Sequence, residues 1–223
     1  MFSDFDTKYT PKTLDDIVFQ TADTRATVES IVNGTFGLPA SGINAILLYG
    51  TYGSGKSALA KILPQLIERA NGGDEAYASE FNISQGENGA GVIEQIKSQC
   101  NLVTLINKYH YFVLDEVDNL RAETMTTLKS AMNINAKNCI YIFTTNNLNK
   151  IEGGVVDRSV RIEFNAASSI DWLPRVKAIL ADYSVTGIAD NELLKLIDLC
   201  NGSARKILSS TRQIIAKHKL LAA

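Results

Sequence analysis

This chain has little cysteine, no long apolar run and no excess of charge of either sign. Its three cysteines, Cys100, Cys139 and Cys200, are widely separated and form no Cys-x-x-Cys pair. Neither a zinc site nor a disulfide framework is expected, and a reducing cytoplasm is the expected setting. No apolar run reaches the ~18 residues that a membrane span needs. The opening MFSDFDTKYT lacks a charged stretch followed by an apolar one, so no secretory signal is expected there. Lys and Arg number 22 against 24 Asp and Glu, a net charge of -2. With no basic surplus, any contact with nucleic acid must come from a local patch or from an assembly.

What is present is a folded protein's composition, 45% hydrophobic and 21% charged over 223 residues. At ~150 residues per domain, that length holds one or two domains. Residues 1 to 20 are polar, carry Pro11 and read as an extended arm, and a helix is expected from Asp23 to Asn33. Apolar runs then mark strands at Ala45–Tyr49, Tyr77–Ile83, Tyr109–Leu114 and Cys139–Phe143, with a weaker one at Val160–Phe164. Helical patterns lie between them, at Lys56–Ala70, Ala90–Ile106 and Ala122–Met132. Pro64 is expected to kink or shorten the first of these. Strands alternating with helices imply a parallel sheet covered on both faces, an α/β fold. After Phe164 the pattern is helical only: Ser168–Leu180, Asp190–Cys200 with Asp190 as its N-cap, and Ser203–Leu220. Two domains are therefore expected, 1–166 and 167–223.

The chemistry is concentrated at strand ends. Gly50-Thr-Tyr-Gly53-Ser54-Gly55-Lys56-Ser57 satisfies G-x-x-x-x-G-K-[ST] and lies between a strand and a helix. Its glycines let backbone N–H groups wrap a phosphate chain at a helix N-terminus, where Ala58 follows. Lys56 is expected on the β- and γ-phosphates, and Ser57 on Mg²⁺. Tyr111-Phe-Val-Leu-Asp115-Glu116 is an apolar strand ending in two acids, a costly arrangement for packing alone. Beside a phosphate loop, Asp115 is the expected partner of Mg²⁺ and Glu116 the base that orients the attacking water. Asp118 reads as a solvated helix-entry residue. A third strand ends in Asn146-Asn147, which either brings Asn146 to the γ-phosphate or forms a polar turn.

With these motifs in place, the chain resembles the AAA+ ATPases, most closely the small ATPase subunits of replication clamp loaders (replication factor C-like). Lys8-Tyr-Thr-Pro-Lys-Thr-Leu-Asp-Asp-Ile-Val-Phe-Gln20 resembles that family's opening segment, Phe81-Asn82-Ile-Ser84 its second strand end, and Asn201-Gly202-Ser-Ala-Arg205-Lys206 its lid helix. The resemblance covers about residues 8 to 215. It implies a five-stranded parallel P-loop domain followed by a three-helix lid, with ATP and Mg²⁺ as cofactors. It also implies a role for each matching residue. Asn146 is sensor 1, Arg158 an arginine finger acting on a neighbouring subunit, and Arg205 sensor 2 in the lid. Asn82 is a residue able to hold Glu116 in an inactive pose. Pro11, Ile17 and Val18 fall where the family's arm packs on adenine. The implied partners are other AAA+ subunits, DNA, and a sliding clamp or another replication protein, with no membrane.

The chain also departs from the family. Thr10 and Phe19 replace an Arg and a Gly of the opening segment. Asp157 precedes Arg158 in place of Ser and is expected to pair with it in a free subunit. The helix that carries a coupling Gln in the family reads Thr124-Met-Thr-Thr-Leu-Lys129-Ser, retaining only Lys129. Ile93 stands where a DNA-contacting Arg is expected, although Gly89-Ala-Gly91 still offers backbone N–H groups. The family's third helical domain has no counterpart in this sequence, so the expectation is either that assembly uses the two domains or that this is not a standard clamp loader. The expected function is a Mg-dependent ATPase of a clamp loader. The alternatives are a helicase loader or other DNA-remodelling AAA+ protein, or a non-hydrolysing ATP-dependent scaffold. A small-molecule kinase is disfavoured, because it needs neither Arg205 nor a finger in trans.

Overall fold

The computed structural model describes residues 5–86, 89–104 and 106–221. Its five strands are β1 (Ala45–Tyr49), β2 (Ala78–Asn82), β3 (His110–Asp115), β4 (Cys139–Thr145) and β5 (Ser159–Glu163). Its α-helices are α1 (Phe5–Tyr9), α2 (Ala22–Val32), α3 (Lys56–Ala70), α4 (Ala90–Cys100), α5 (Ala122–Met132), α6 (Gly153–Val156), α7 (Ser169–Asp182), α8 (Asp190–Leu199) and α9 (Ala204–Leu221). By their contacts they form two bodies: 23–50 with 56–163, and 5–22 with 51–55 and 164–221.

The first body is built on one parallel sheet of order β2-β3-β4-β1-β5. All seven residues of β4 are buried, as a central parallel strand covered on both faces requires. Alternation along β3 sends its side chains to opposite faces. Phe112 and Leu114 join Tyr141 and Phe143 in a core shared with Ile93 and Ile96 of α4 and with Met125 and Leu128 of α5. Tyr111 points the other way and donates its hydroxyl to Glu68 of α3 at 2.9 Å. Glu68 is 2% exposed and also accepts the backbone N–H of Lys108 at 2.9 Å, so α3 is bracketed to the start of β3.

Several details differ from the sequence reading. Helix α3 runs unbroken through Pro64. The proline removes one backbone donor, but burial of Leu59, Leu63 and Ile67 outweighs that single lost bond. Ile93 is 1% exposed, a core residue rather than a surface one. Cys100 and Cys139, 39 residues apart in sequence, bring their sulfur atoms to 3.3 Å as free, buried thiols. Sequence spacing carried no sign of that meeting, because sheet topology creates it.

In the second body, the arm is not extended. Its short helix α1 buries Phe5 and Tyr9 among Trp172, Val176 and Ile179 of α7 and Ile207 of α9. The arm thus groups with those helices and not with the sheet. Tyr9 donates its hydroxyl to Asp182 at 2.9 Å, and Asp16 pairs with Arg175 at 3.0 Å. Ser168 caps α7, its hydroxyl accepting the N–H of Asp171. Asp190 does not cap α8: it is the helix's first residue, and its carboxylate takes Lys177 instead.

The Glu68 bracket predicts a stability effect. Tyr111→Phe, which deletes one hydrogen bond to a buried carboxylate, should lower the unfolding free energy by about 1.5–3 kcal/mol. Glu68→Leu, which also strands the Lys108 N–H, should cost more. Urea unfolding of the two variants checks both the sign and the order.

Candidate nucleotide site

In the sheet body, the register sets out the site. Leu114 pairs with Phe143 and Tyr49 with Thr145, so the ends of β1, β3 and β4 lie side by side. Asp115 Oδ1 accepts the hydroxyl of Ser57 at 2.7 Å and that of Thr144 as well. Thr144 in turn accepts the backbone N–H of Glu116 at 2.9 Å. Lys56 is 6% exposed and donates to the Gly50 carbonyl at 3.1 Å. Burial pulls its pKa below the ordinary lysine range, while the charges of Asp115, Asp118 and Glu116 act in the opposite direction. Asn146 follows the last residue of β4, beside the start of the loop at Gly50.

Glu116 has φ 57, the left-handed region that L-residues seldom occupy. It begins a 3-10 turn over Val117–Asn119, and the Asn119 side-chain amide donates to its carboxylate at 3.3 Å. Asn82 is paired with Asp115 in the ladder, and its side-chain oxygen accepts from Ser84 at 2.9 Å. Asp118 is not the solvated residue expected. It is half-buried, its charge acts on Lys56, and one carboxylate oxygen is buried without a hydrogen-bond partner. The sequence reading also missed Thr144. Its signal was a hydroxyl among the apolar residues of β4, and it is 1% exposed.

In the second body, the loop residues Thr51–Gly55 carry two glycines with positive φ, Gly53 at 74 and Gly55 at 109. A Cβ on Gly53 would lie 2.6 Å from the Ser203 hydroxyl, so both backbone and space require glycine there. The first N–H of α9, on Ala204, donates to the Gly53 carbonyl at 2.8 Å. Ser54 is buried, with its hydroxyl on the Phe164 carbonyl at 2.7 Å. Arg205 is exposed in the first turn of α9. Val18 packs against the core of these helices, and Pro11 is half-buried.

The residues fit a magnesium nucleotide. A hydroxyl joined to a carboxylate is an all-oxygen donor set suited to Mg²⁺, which takes few protein ligands and completes its shell with phosphate and water. The positive-φ glycines form a backbone able to turn its N–H groups towards an anion.

A model of the ATPase family associated with various cellular activities (AAA) matches residues 46–166. The chain belongs to the AAA family. This AAA chain is 24% identical over 214 residues to Replication factor C small subunit 2 of Pyrobaculum islandicum, covering 95% of this chain and 63% of that protein. It is 25% identical over 215 residues to Replication factor C subunit 4 of Caenorhabditis elegans, covering 93% and 61%. It therefore spans about three-fifths of the length of these relatives. Among solved structures, the RuvB Holliday junction branch migration motor of Thermotoga maritima has the same fold. The TM-score is 0.75 at 16% identity, covering 96% of this chain and 68% of that one.

Because Thr144 holds both acids, Thr144→Val should keep the fold and lower ATP turnover by about 10- to 100-fold, the usual cost of losing a residue that orients a metal-site carboxylate. Thr144→Ser, which keeps the hydroxyl, should stay near wild type in the same assay.

Proposed function

We propose that this chain is the ATPase module of a replication clamp-loader subunit, hydrolysing Mg·ATP within an assembly of AAA+ subunits that acts on DNA and a sliding clamp. The observation that carries the reading is the hydroxyl network joining Ser57, Asp115 and Thr144 beside Lys56 and Glu116. The bound Mg²⁺ supplies charge neutralisation of the phosphates, with Ser57 and Asp115 as its holders. Lys56 exchanges the Gly50 carbonyl for phosphate oxygens. Glu116 orients the attacking water and takes up its proton, with Asn146 holding the water from the neighbouring strand end. Arg205 reports the nucleotide from α9, and Pro11 and Val18 flank the adenine.

Arg158 serves the γ-phosphate of a neighbouring subunit. Leu102, Val103 and Ile106, which are 61, 83 and 67% exposed, support a protein partner, because clustered exposed apolar side chains mark docking surfaces. The N–H groups at the start of α4 are the proposed contact with a DNA phosphate. Glu116 favours a hydrolysing machine over a scaffold. A helicase loader is the second reading, supported by the fold shared with a branch-migration motor, and the two separate by whether a sliding clamp or a helicase raises turnover on primed DNA.

Two results test the chemistry. Glu116→Gln should bind ATP as the wild type does and lose ~10²–10⁴-fold in turnover. If it turns over ATP at the wild-type rate, the base is elsewhere. The finger is tested by mixing Arg158→Ala subunits with Lys56→Ala subunits. Each alone should be nearly inactive, and the mixture should recover activity, because fingers contribute ~10³–10⁵ in rate across the interface. If no recovery occurs at any ratio, catalysis in trans is wrong.

A further inference from the structure

Arg158 is held within its own chain. Its Nε donates to Asn133 Oδ1 at 3.0 Å and its Nη1 to the Gly154 carbonyl at 2.8 Å. Asn133 is the C-cap of α5. Four residues earlier, on the same helix face, Lys129 Nζ lies 3.0 Å from Glu152 Oε1. Glu152 is the N-cap of α6, and its backbone carbonyl accepts the N–H of Val155 at 2.9 Å. Gly154 closes the cluster. A Cβ there would lie 2.2 Å from Lys129 Cδ, so the lysine stem lies against the bare backbone of this glycine. The exposed Asp157, expected to pair with Arg158, is not one of these partners.

Both acceptors of Arg158 are uncharged oxygens. They set the plane of the guanidinium without neutralising it. A guanidinium carries five N–H donors, so two contacts leave the other three for a phosphate. An arginine ordered in advance loses less side-chain freedom when it engages its target.

We propose that Asn133 is a positioning residue for Arg158, and that the Lys129–Glu152 pair, one turn back along α5, anchors the short helix α6, which ends two residues before Arg158. This rests on the reading of Arg158 as a finger acting on a neighbouring subunit. The anchor replaces nothing at the chain's own phosphate loop, so its loss should be felt at the neighbour's site.

The test uses the assembled ATPase. Asn133 is exposed, so Asn133→Ala should keep the wild-type melting temperature. Its kcat should fall by roughly 10- to 100-fold, as expected for a misplaced catalytic group, with KM for ATP unchanged. Mixing Asn133→Ala with Lys56→Ala subunits should restore turnover, since the second partner supplies a well-held finger. In an Arg158→Ala background, Asn133→Ala should cost nothing more. Lys129→Met should behave as Asn133→Ala does, and Lys129→Arg should recover most of the rate. If Arg158→Ala abolishes turnover and Asn133→Ala does not lower it, the positioning role is wrong and the finger stands. If Asn133→Ala lowers the melting temperature or raises KM along with the loss of rate, its role is structural and the proposal fails. If Arg158→Ala itself is fully active, the finger reading fails first.

Discussion

A single carboxylate oxygen joins the parts of the candidate nucleotide site. Asp115 Oδ1 ends β3 and accepts hydroxyls from the first turn of α3 and from the buried centre of the sheet at Thr144. The geometry exists only because β1, β3 and β4 are parallel and in a register that brings their ends level. A slip of one residue in β4 would turn Thr144 to the opposite face and leave both acids without their bracket. The apolar bulk of β4 therefore has a polar purpose, because packing of Tyr141 and Phe143 holds the strand at the one register the site tolerates.

Lys56 occupies the counterpart of that node. It is nearly buried, and its field includes three acids on the β3 end and the turn beyond it. Desolvation disfavours its charge while the acids favour it, and the Gly50 carbonyl gives one proton a partner. In the role proposed for Lys56, phosphate oxygens replace that carbonyl and supply stronger charge.

Much of this was legible in the sequence. Strands and helices carrying motifs have strong local signals, and α3 and α5 begin and end where periodicity puts them. The phosphate loop and the acid pair are legible for the same reason: their residues are adjacent in the chain. What was not legible depends on residues distant in the chain. Phe5 and Tyr9 form a helix because Trp172 and Val176 offer them a surface. The Asp118 carboxylate is drawn to Lys56 by the turn after Glu116, and Asp190 leaves its cap for Lys177. Arg158 met Asn133 and not its neighbour Asp157, because the fold brings the end of α5 beside the turn between α6 and β5, 25 residues on in sequence.

The left-handed backbone of Glu116 has an evolutionary consequence. An L-residue pays ~1–2 kcal/mol to sit there, and glycine would sit there without strain. Heat resistance and the role proposed for Glu116 thus favour different residues at one position. A laboratory population selected only to survive heating would drift towards Glu116→Gly, becoming sturdier as it lost this carboxylate. Folding stability alone would not keep an acid at 116, so the position marks a strain that the fold carries beside the candidate site.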